Sequence, residues 1–337
     1  MRKNSHVFVD IDGILWQSSV SFSFHPVSGL TDCIMVDKRR DFGVVLQGKG
    51  EVFGWGSNHH GQLSGGVYDS FDVPTQVYKL KDIESVSCGG NFLLALDTDG
   101  VVWGCGGNMH KSLGSNDWKI FTPQIVSEDL PSMKMIFAGF EDACGVDTKN
   151  RFWAWGKVKG KKTSPHRVKL PFVPRKFVDG PINRRGGKDF FERYALDTEY
   201  KLWKRCSTWK EGKYKLEPVP VENVADVSIH IFGTTDAWVT ITAIGADGEV
   251  AQKKGAEWSI VDLPEPVYKV VDTNYFSSDC TVWTNVPESE LVNAEVLEVF
   301  VSPLPDGPVW KKVQLPFKVP LDAIANRNVK SAMKNHR

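Results

Sequence analysis

Short apolar runs separated by Gly-, Asn- and Asp-bearing turns fill the chain. Val52-Phe53-Gly54-Trp55-Gly56 places aromatic residues at alternate positions, the period of a pleated strand. Ser57-Asn58-His59-His60-Gly61-Gln62-Leu63 is a polar, glycine-bearing turn. Pro74 to Val77 begins another strand, Ile83 to Gly89 gives a third, and Phe92 to Leu96 a fourth. The fourth runs into Asp97-Thr98-Asp99-Gly100, and Asp-Gly between apolar runs is a strong hairpin signal. Residues 50–99 therefore predict a unit of four short strands.

The unit recurs. Asp97-Thr98, Asp147-Thr148 and Asp197-Thr198 stand 50 residues apart, and so do Trp103, Trp153 and Trp203. Repetition at a fixed period of this size marks a solenoid or propeller, in which each unit needs its neighbours to bury an apolar face. The pattern predicts an all-β, seven-bladed β-propeller spanning residues 1–320 as one domain. Its units are 13–49, 50–99, 100–149, 150–199, 200–247, 248–285, and a last one made of 286–320 with 1–12. In that scheme the N-terminal strand joins the C-terminal blade, closing the ring and hiding its sheet edges. Residues 321–337 read as a polar, basic tail.

The run from Val52 to Leu63 resembles the signature of the regulator of chromosome condensation repeat family, Val-aromatic-x-Trp-Gly-x-Asn-x-x-Gly-Gln-Leu. The following Pro-x-x-Val strand, Val-x-x-Val-x-x-Gly strand and Ala-Leu strand ending in Asp-Gly are similar to Pro74–Val77, Ile83–Gly89 and Ala95–Gly100. The resemblance implies a seven-bladed propeller. Founding members of the family accelerate nucleotide exchange on a Ran-type small GTPase and dock on nucleosomes, whereas many others are non-catalytic binding modules. The chain departs from the pattern at Lys111-Ser112, where Gly-Gln would stand, and loses the Trp-Gly pair after residue 200. No segment matches the exchange wedge of the founding members, so no exchange residue is carried over.

Charge changes the picture more than composition does. The net formal charge of the 337 residues is zero, but residues 157–216 hold 18 Lys/Arg against 6 Asp/Glu, and residues 217–306 hold 3 against 16. Such asymmetry concerns partners and steering rather than fold. Six scattered cysteines without a Cys-x-x-Cys pair predict a reducing compartment, cytoplasmic or nuclear. No apolar run approaches the roughly 20 residues needed to span a bilayer, and the N-terminal residues lack a signal-peptide apolar core.

Candidate binding residues fall in two places. Asn58, His59 and His60 in one unit match Asn108, His110 and Lys111 in the next, which puts them on one end of the ring, where loops carry function. The basic sector supplies Arg184, Arg185, Lys188, Trp209 and Lys210. Arginine pairs with carboxylate or phosphate through two parallel hydrogen bonds, and Trp209 offers a stacking face. This sector fits an acidic protein surface, nucleic acid or phosphoinositide, or else it is solvated loop charge. The repeat-phased tryptophans read as packing between blades, and the Asp-Gly sites as hairpin turns rather than calcium loops. No Gly-x-Ser-x-Gly elbow, phosphate loop or His-Glu-x-x-His occurs, and neither a metal nor a cofactor is expected. The expectation is a non-catalytic protein-interaction module; the alternatives are nucleotide exchange on a Ran-like GTPase and chromatin or nucleic-acid binding through residues 157–216.

Overall fold

The structure, a computed structural model, describes residues 7–9, 12–18, 24–39, 41–63, 69–77, 79–158, 161–183, 190–205, 214–231, 239–254, 257–261, 269–271, 280–284, 298–303 and 311–314. These residues form strands without a helix. The first sheet has three strands, β1 (Val7–Val9), β2 (Leu15–Ser18) and β3 (Phe24–Pro26). The second holds β4 (Cys33–Arg39), β5 (Phe42–Gln47), β6 (Val52–Gly56) and β7 (Phe71–Gln76). The third holds β8 (Ile83–Cys88), β9 (Phe92–Asp97), β10 (Val102–Gly107) and β11 (Lys119–Ile125), and the fourth β12 (Met133–Ala138), β13 (Asp142–Asp147), β14 (Phe152–Val158) and β15 (Lys161–Val168). The fifth holds β16 (Pro174–Asn183), β17 (Phe190–Asp197), β18 (Leu202–Arg205) and β19 (Tyr214–Leu216), and the sixth β20 (Val224–Ile231), β21 (Val239–Gly245), β22 (Val250–Lys254) and β23 (Glu257–Ile260). The seventh holds β24 (Lys269–Val271), β25 (Cys280–Thr284), β26 (Glu298–Pro303) and β27 (Lys311–Gln314). Every pairing within these sheets is antiparallel between strands consecutive in the chain, as propeller blades require.

The sheets are out of phase with the sequence units. The Asp-Gly turn chosen as a unit boundary is the hairpin between the second and third strands of one sheet, so the unit 50–99 spans the outer pair of the second sheet and the inner pair of the third. Strand β1 pairs with β2, in the register Val7↔Gln17 to Val9↔Leu15, and the seventh sheet has four strands of its own. Among the described residues, β1 makes no pairing with the seventh sheet, which is where the sequence placed it.

The core is a series of layers between successive sheets. Alternation along each strand sends one set of side chains backward and the other forward. Val45 packs with Val9, Leu15, Cys33 and Trp55, whereas Phe42, Val44 and Leu46 pack with Val86, Leu93 and Ala95 of the third sheet. Leu94 and Leu96 turn the other way, onto Ile136, Ala143 and Trp155 of the fourth. Each buried Val, Leu, Ile or Phe of these layers contributes about 1.5–3 kcal/mol.

One cross-strand pair is tuned in volume from sheet to sheet. Gly43 faces Trp55, Leu93 faces Cys105 and Ala143 faces Trp155, so in these three sheets a small partner accompanies a large one. A Cβ on Gly43 would lie 2.5 Å from the Trp55 ring, which is why only glycine fits there. Between the first strands of successive sheets, polar groups tie three sheets together. Cys88 N–H donates to Asp37 Oδ2 at 2.7 Å, Ala138 N–H to Ser87 Oγ at 3.0 Å, and Arg39 Nη1 to Ala138 O at 3.0 Å.

The phased tryptophans and the turns are one device. Asp97 Oδ1 accepts from the N–H groups of Asp99 and Val101, and Oδ2 from Trp103 Nε1 at 2.8 Å. Asp147 with Trp153 and Asp197 with Trp203 repeat the arrangement, at 3.0 and 2.6 Å. The left-handed turn position is Gly100 in one sheet (φ 84°), Asn150 in the next (φ 62°) and Tyr200 in the third (φ 63°). The carboxylates are thus consumed by their own hairpins.

Candidate functional site

Two sets of connections emerge at one end of the sheets: those joining first to second strands and those joining third to fourth. The short Asp-led turns occupy the opposite end. Asn58, His59, His60, Asn108, His110 and Lys111 all belong to the former, in the loops after β6 and β10.

These residues divide by role. Asn58 and Asn108 are buried, at 0% and 3% exposure, and point into their own loops. Asn58 Oδ1 accepts from Leu63 N–H and Asn108 Oδ1 from Leu113 N–H, both at 2.8 Å. Asn108 Nδ2 also donates to the carbonyls of Ser115 and Asp117, at 2.9 and 2.8 Å. A short polar side chain able to accept and donate at once can replace the missing ladder of a loop. These asparagines shape the loop that the neighbouring residues present.

His59 is exposed and His60 half-buried. Burial holds the His60 imidazole below its ordinary value, and the charges of Lys119 and His59 push the same way. Lys119 Nζ donates to His59 O at 3.2 Å, which fastens this loop to the next sheet. Gly61 lies against Phe121, whose ring would be 2.7 Å from an added Cβ. Cys105 Sγ lies 3.3 Å from Gln62 O, and Trp155 Nε1 donates to Ser112 O at 2.8 Å one sheet on. Each loop is therefore seated on the sheet that follows it.

His110 and Lys111 part company. His110 Nε2 lies 3.0 Å from Glu141 Oε1, and Lys157 pairs with the other oxygen of that carboxylate. Burial alone would raise Glu141, but hydrogen bonds from His110 and Lys157 and their charges hold it below the ordinary carboxylate value. Lys111 takes a left-handed backbone, φ 62°, at the tip of its turn. Arg184, Arg185, Lys188, Trp209 and Lys210 lie outside the described residues. The strands flanking them stop at Asn183, Phe190, Arg205 and Tyr214, at the same end of the fold as the histidine loops.

Three features of this end escaped the sequence. Met109 and Trp118, 56% and 76% exposed, stand in the loop between β10 and β11, where Asn108 N–H donates to Trp118 O at 2.8 Å. Trp118 falls outside the fifty-residue phase of the packing tryptophans, which is the sequence signal that marks it. Arg193 and Arg205 occupy the positions of Leu93/Ala143 and Cys105/Trp155, and both face Asp142 of the previous sheet. Tyr214 is half-buried beside this cluster, and desolvation pushes its phenol up to about 12. At the opposite end, a cleft of about 240 Å³ is lined by Lys79, Lys81, Asp97, Asp99 and Trp103. No group of three or more metal-ligating side chains is assembled among the described residues.

The regulator of chromosome condensation (RCC1) repeat model matches residues 49–96, and a second model of the same repeat matches residues 83–110. The E3 ubiquitin-protein ligase HERC2 of Homo sapiens is 26% identical over 211 residues, 59% of this chain and 4% of that protein. The chain thus spans a small fraction of this relative's length. Kap60-bound yeast RCC1 (Prp20) superposes with a TM-score of 0.64 at 13% identity, covering 82% of this chain and 77% of the other. Prp20p from Saccharomyces cerevisiae, solved with a study of its binding to Gsp1p and histones, gives 0.62 at 13% identity, over 80% and 78%. The chain carries RCC1 repeats and folds as an RCC1-type β-propeller.

Proposed function

We propose that this RCC1-repeat propeller is a non-catalytic protein-interaction module. The observation that carries the reading is the loop between β10 and β11. Three hydrogen bonds to one buried asparagine, two donated and one accepted by its side chain, hold it in shape while it presents the exposed Met109 and Trp118 beside the half-buried Lys111. A surface ordered in advance loses little conformational entropy when a partner docks. The basic stretch 157–216 beside the acidic stretch 217–306 would orient that partner and speed the encounter. Affinity purification of the tagged full chain from its native cell, with quantitative mass spectrometry, tests this reading. A defined protein retained in near-stoichiometric amount is expected, and a bait that retains none sinks it.

A second reading is nucleotide exchange on a Ran-like small GTPase. The likeness to Prp20p, studied for its binding to Gsp1p and histones, favours it. Exchange requires only a surface that binds the nucleotide-free GTPase more tightly than the loaded one. Accelerated release of a labelled nucleotide from purified GTPases would move this reading to first place. Docking on nucleic acid or chromatin through residues 157–216 makes a separate demand: affinity must fall steeply as salt rises.

A further inference from the structure

Resting on the interaction-module reading, we propose that Trp118 and Met109 form the anchor of a docking surface for an acidic segment of another protein, one with a bulky apolar side chain flanked by carboxylates. The described residues expose six large hydrophobic side chains, and four of them, Val73, Tyr200, Leu216 and Ile260, belong to four different strands or turns. Only Met109 and Trp118 share a loop, brought to its mouth by the hydrogen bond from Asn108 N–H to Trp118 O. Tryptophan is a frequent binding anchor because it buries a large area and loses few rotamers. Methionine beside it adapts to the shape of what docks. An indole 76% exposed on a loop this firmly held is surface available to a partner.

Charge selects the partner. Lys111 and Lys119 flank the two apolar residues, and His59 and His60 adjoin them from the preceding loop through the Lys119–His59 contact. Burial first, and then the charges of Lys119 and His59, hold the His60 imidazole below its ordinary value. Of the nearby carboxylates, Glu141 is matched by His110 and Lys157, and Asp117 is held by Ser115 through its backbone N–H and its side chain. Asp117 keeps its negative charge, and Lys111 and Lys119 outnumber it around the apolar centre. A nucleic-acid strand would need a continuous track of cations along its phosphates. Lys111 and Lys119 beside one indole instead fit one or two carboxylates about one apolar side chain.

The test is a selection of random peptides displayed on phage against the full chain, with fluorescence-polarisation binding of the enriched peptides. Enrichment of sequences with an apolar residue among Asp and Glu is expected. Trp118→Ala should weaken their binding about tenfold or more, the effect of removing an anchor. Met109→Ala should weaken it less, and Lys111→Glu with Lys119→Glu should abolish the preference for acidic peptides. Circular dichroism and thermal unfolding of Trp118→Ala should match the parent protein, since the side chain is exposed. Enriched peptides indifferent to Trp118 would overturn this site while leaving the interaction-module reading intact. Failure to enrich acidic peptides would overturn the proposal. So would Trp118-dependent binding of oligothymidylate, or concentration-dependent dimerisation abolished by Trp118→Ala.

Discussion

Arg193 Nη2 lies 2.9 Å from Asp142 Oδ1, and this pair crosses from the fifth sheet to the fourth. Both side chains are largely buried, at 4% and 10% exposure. The guanidinium also lies over the Phe137 ring, 5.1 Å from its centroid. Arg193 stands where Leu93 and Ala143 stand in earlier sheets, so one apolar layer between blades has been replaced by an ionic one. Breaking a buried pair strands a charge, whereas removing both members does not.

Arg193→Leu should therefore destabilise the protein by about 3 kcal/mol, because Asp142 keeps only Arg205 at 3.9 Å. Asp142→Ala added to Arg193→Leu should recover much of that loss. Urea unfolding of the two variants measures both. A double variant no better than the single would show that the layer is held by something other than this pair.

The alternation of small and large partners predicts a compensating swap. Trp155→Cys should cost about 3 kcal/mol through the cavity it leaves. Ala143→Leu alone should cost about 1–3 kcal/mol through overpacking. Together they reproduce the Leu93–Cys105 pair of the third sheet, and their combined cost should fall below the sum. A double-mutant cycle in thermal unfolding reads the coupling; strict additivity would refute it.

The two kinds of loop residue should separate in experiment. Asn108→Ala strands the buried N–H of Leu113 and two carbonyls, and should lower stability by about 2 kcal/mol. His59→Ala, at an exposed position, should leave the melting temperature unchanged. Differential scanning fluorimetry on both variants is sufficient, and equal melting temperatures would contradict the asparagine's role.

Acid should act through Asp147. Burial raises Asp147, but its hydrogen bonds with Arg151, Trp153 and Lys149 outweigh that and hold it below the ordinary carboxylate value. With a folded value below the unfolded one, the contribution is present above about pH 4 and is lost as pH falls through the folded value. Asp147→Asn should flatten the fall in stability between neutral and acid pH. An unchanged pH profile for the variant would exclude Asp147 as its source.

Local chemistry explains which parts of the fold were legible in the sequence. The period, the hairpins at Asp97, Asp147 and Asp197, and the packing role of Trp103, Trp153 and Trp203 follow from short-range patterns, and a six-residue Asp-to-Trp spacing records the hydrogen bond itself. The phase of the sheets was not legible, because a repeat has no intrinsic starting point. Placing a boundary at Gly100 is as consistent with the periodicity as placing it between Val77 and Ile83, where the sheets divide. Asn58 and Asn108 read as rim residues because loop polarity suggests exposure, yet their amides are enclosed by their own loops. Arg193 could be placed only once Asp142, 51 residues away in sequence, was seen beside it.

The half-unit stagger between repeat and sheet gives the architecture a joint like that of overlapping tiles. Excising residues 50–99 would remove the outer half of one sheet and the inner half of the next, leaving β4 and β5 to continue into β10 and β11. The spliced sheet would still have four strands in the proper order. Gene rearrangements that break at the Asp-led turns can thus lengthen or shorten the protein by a whole wedge without leaving a ragged one behind.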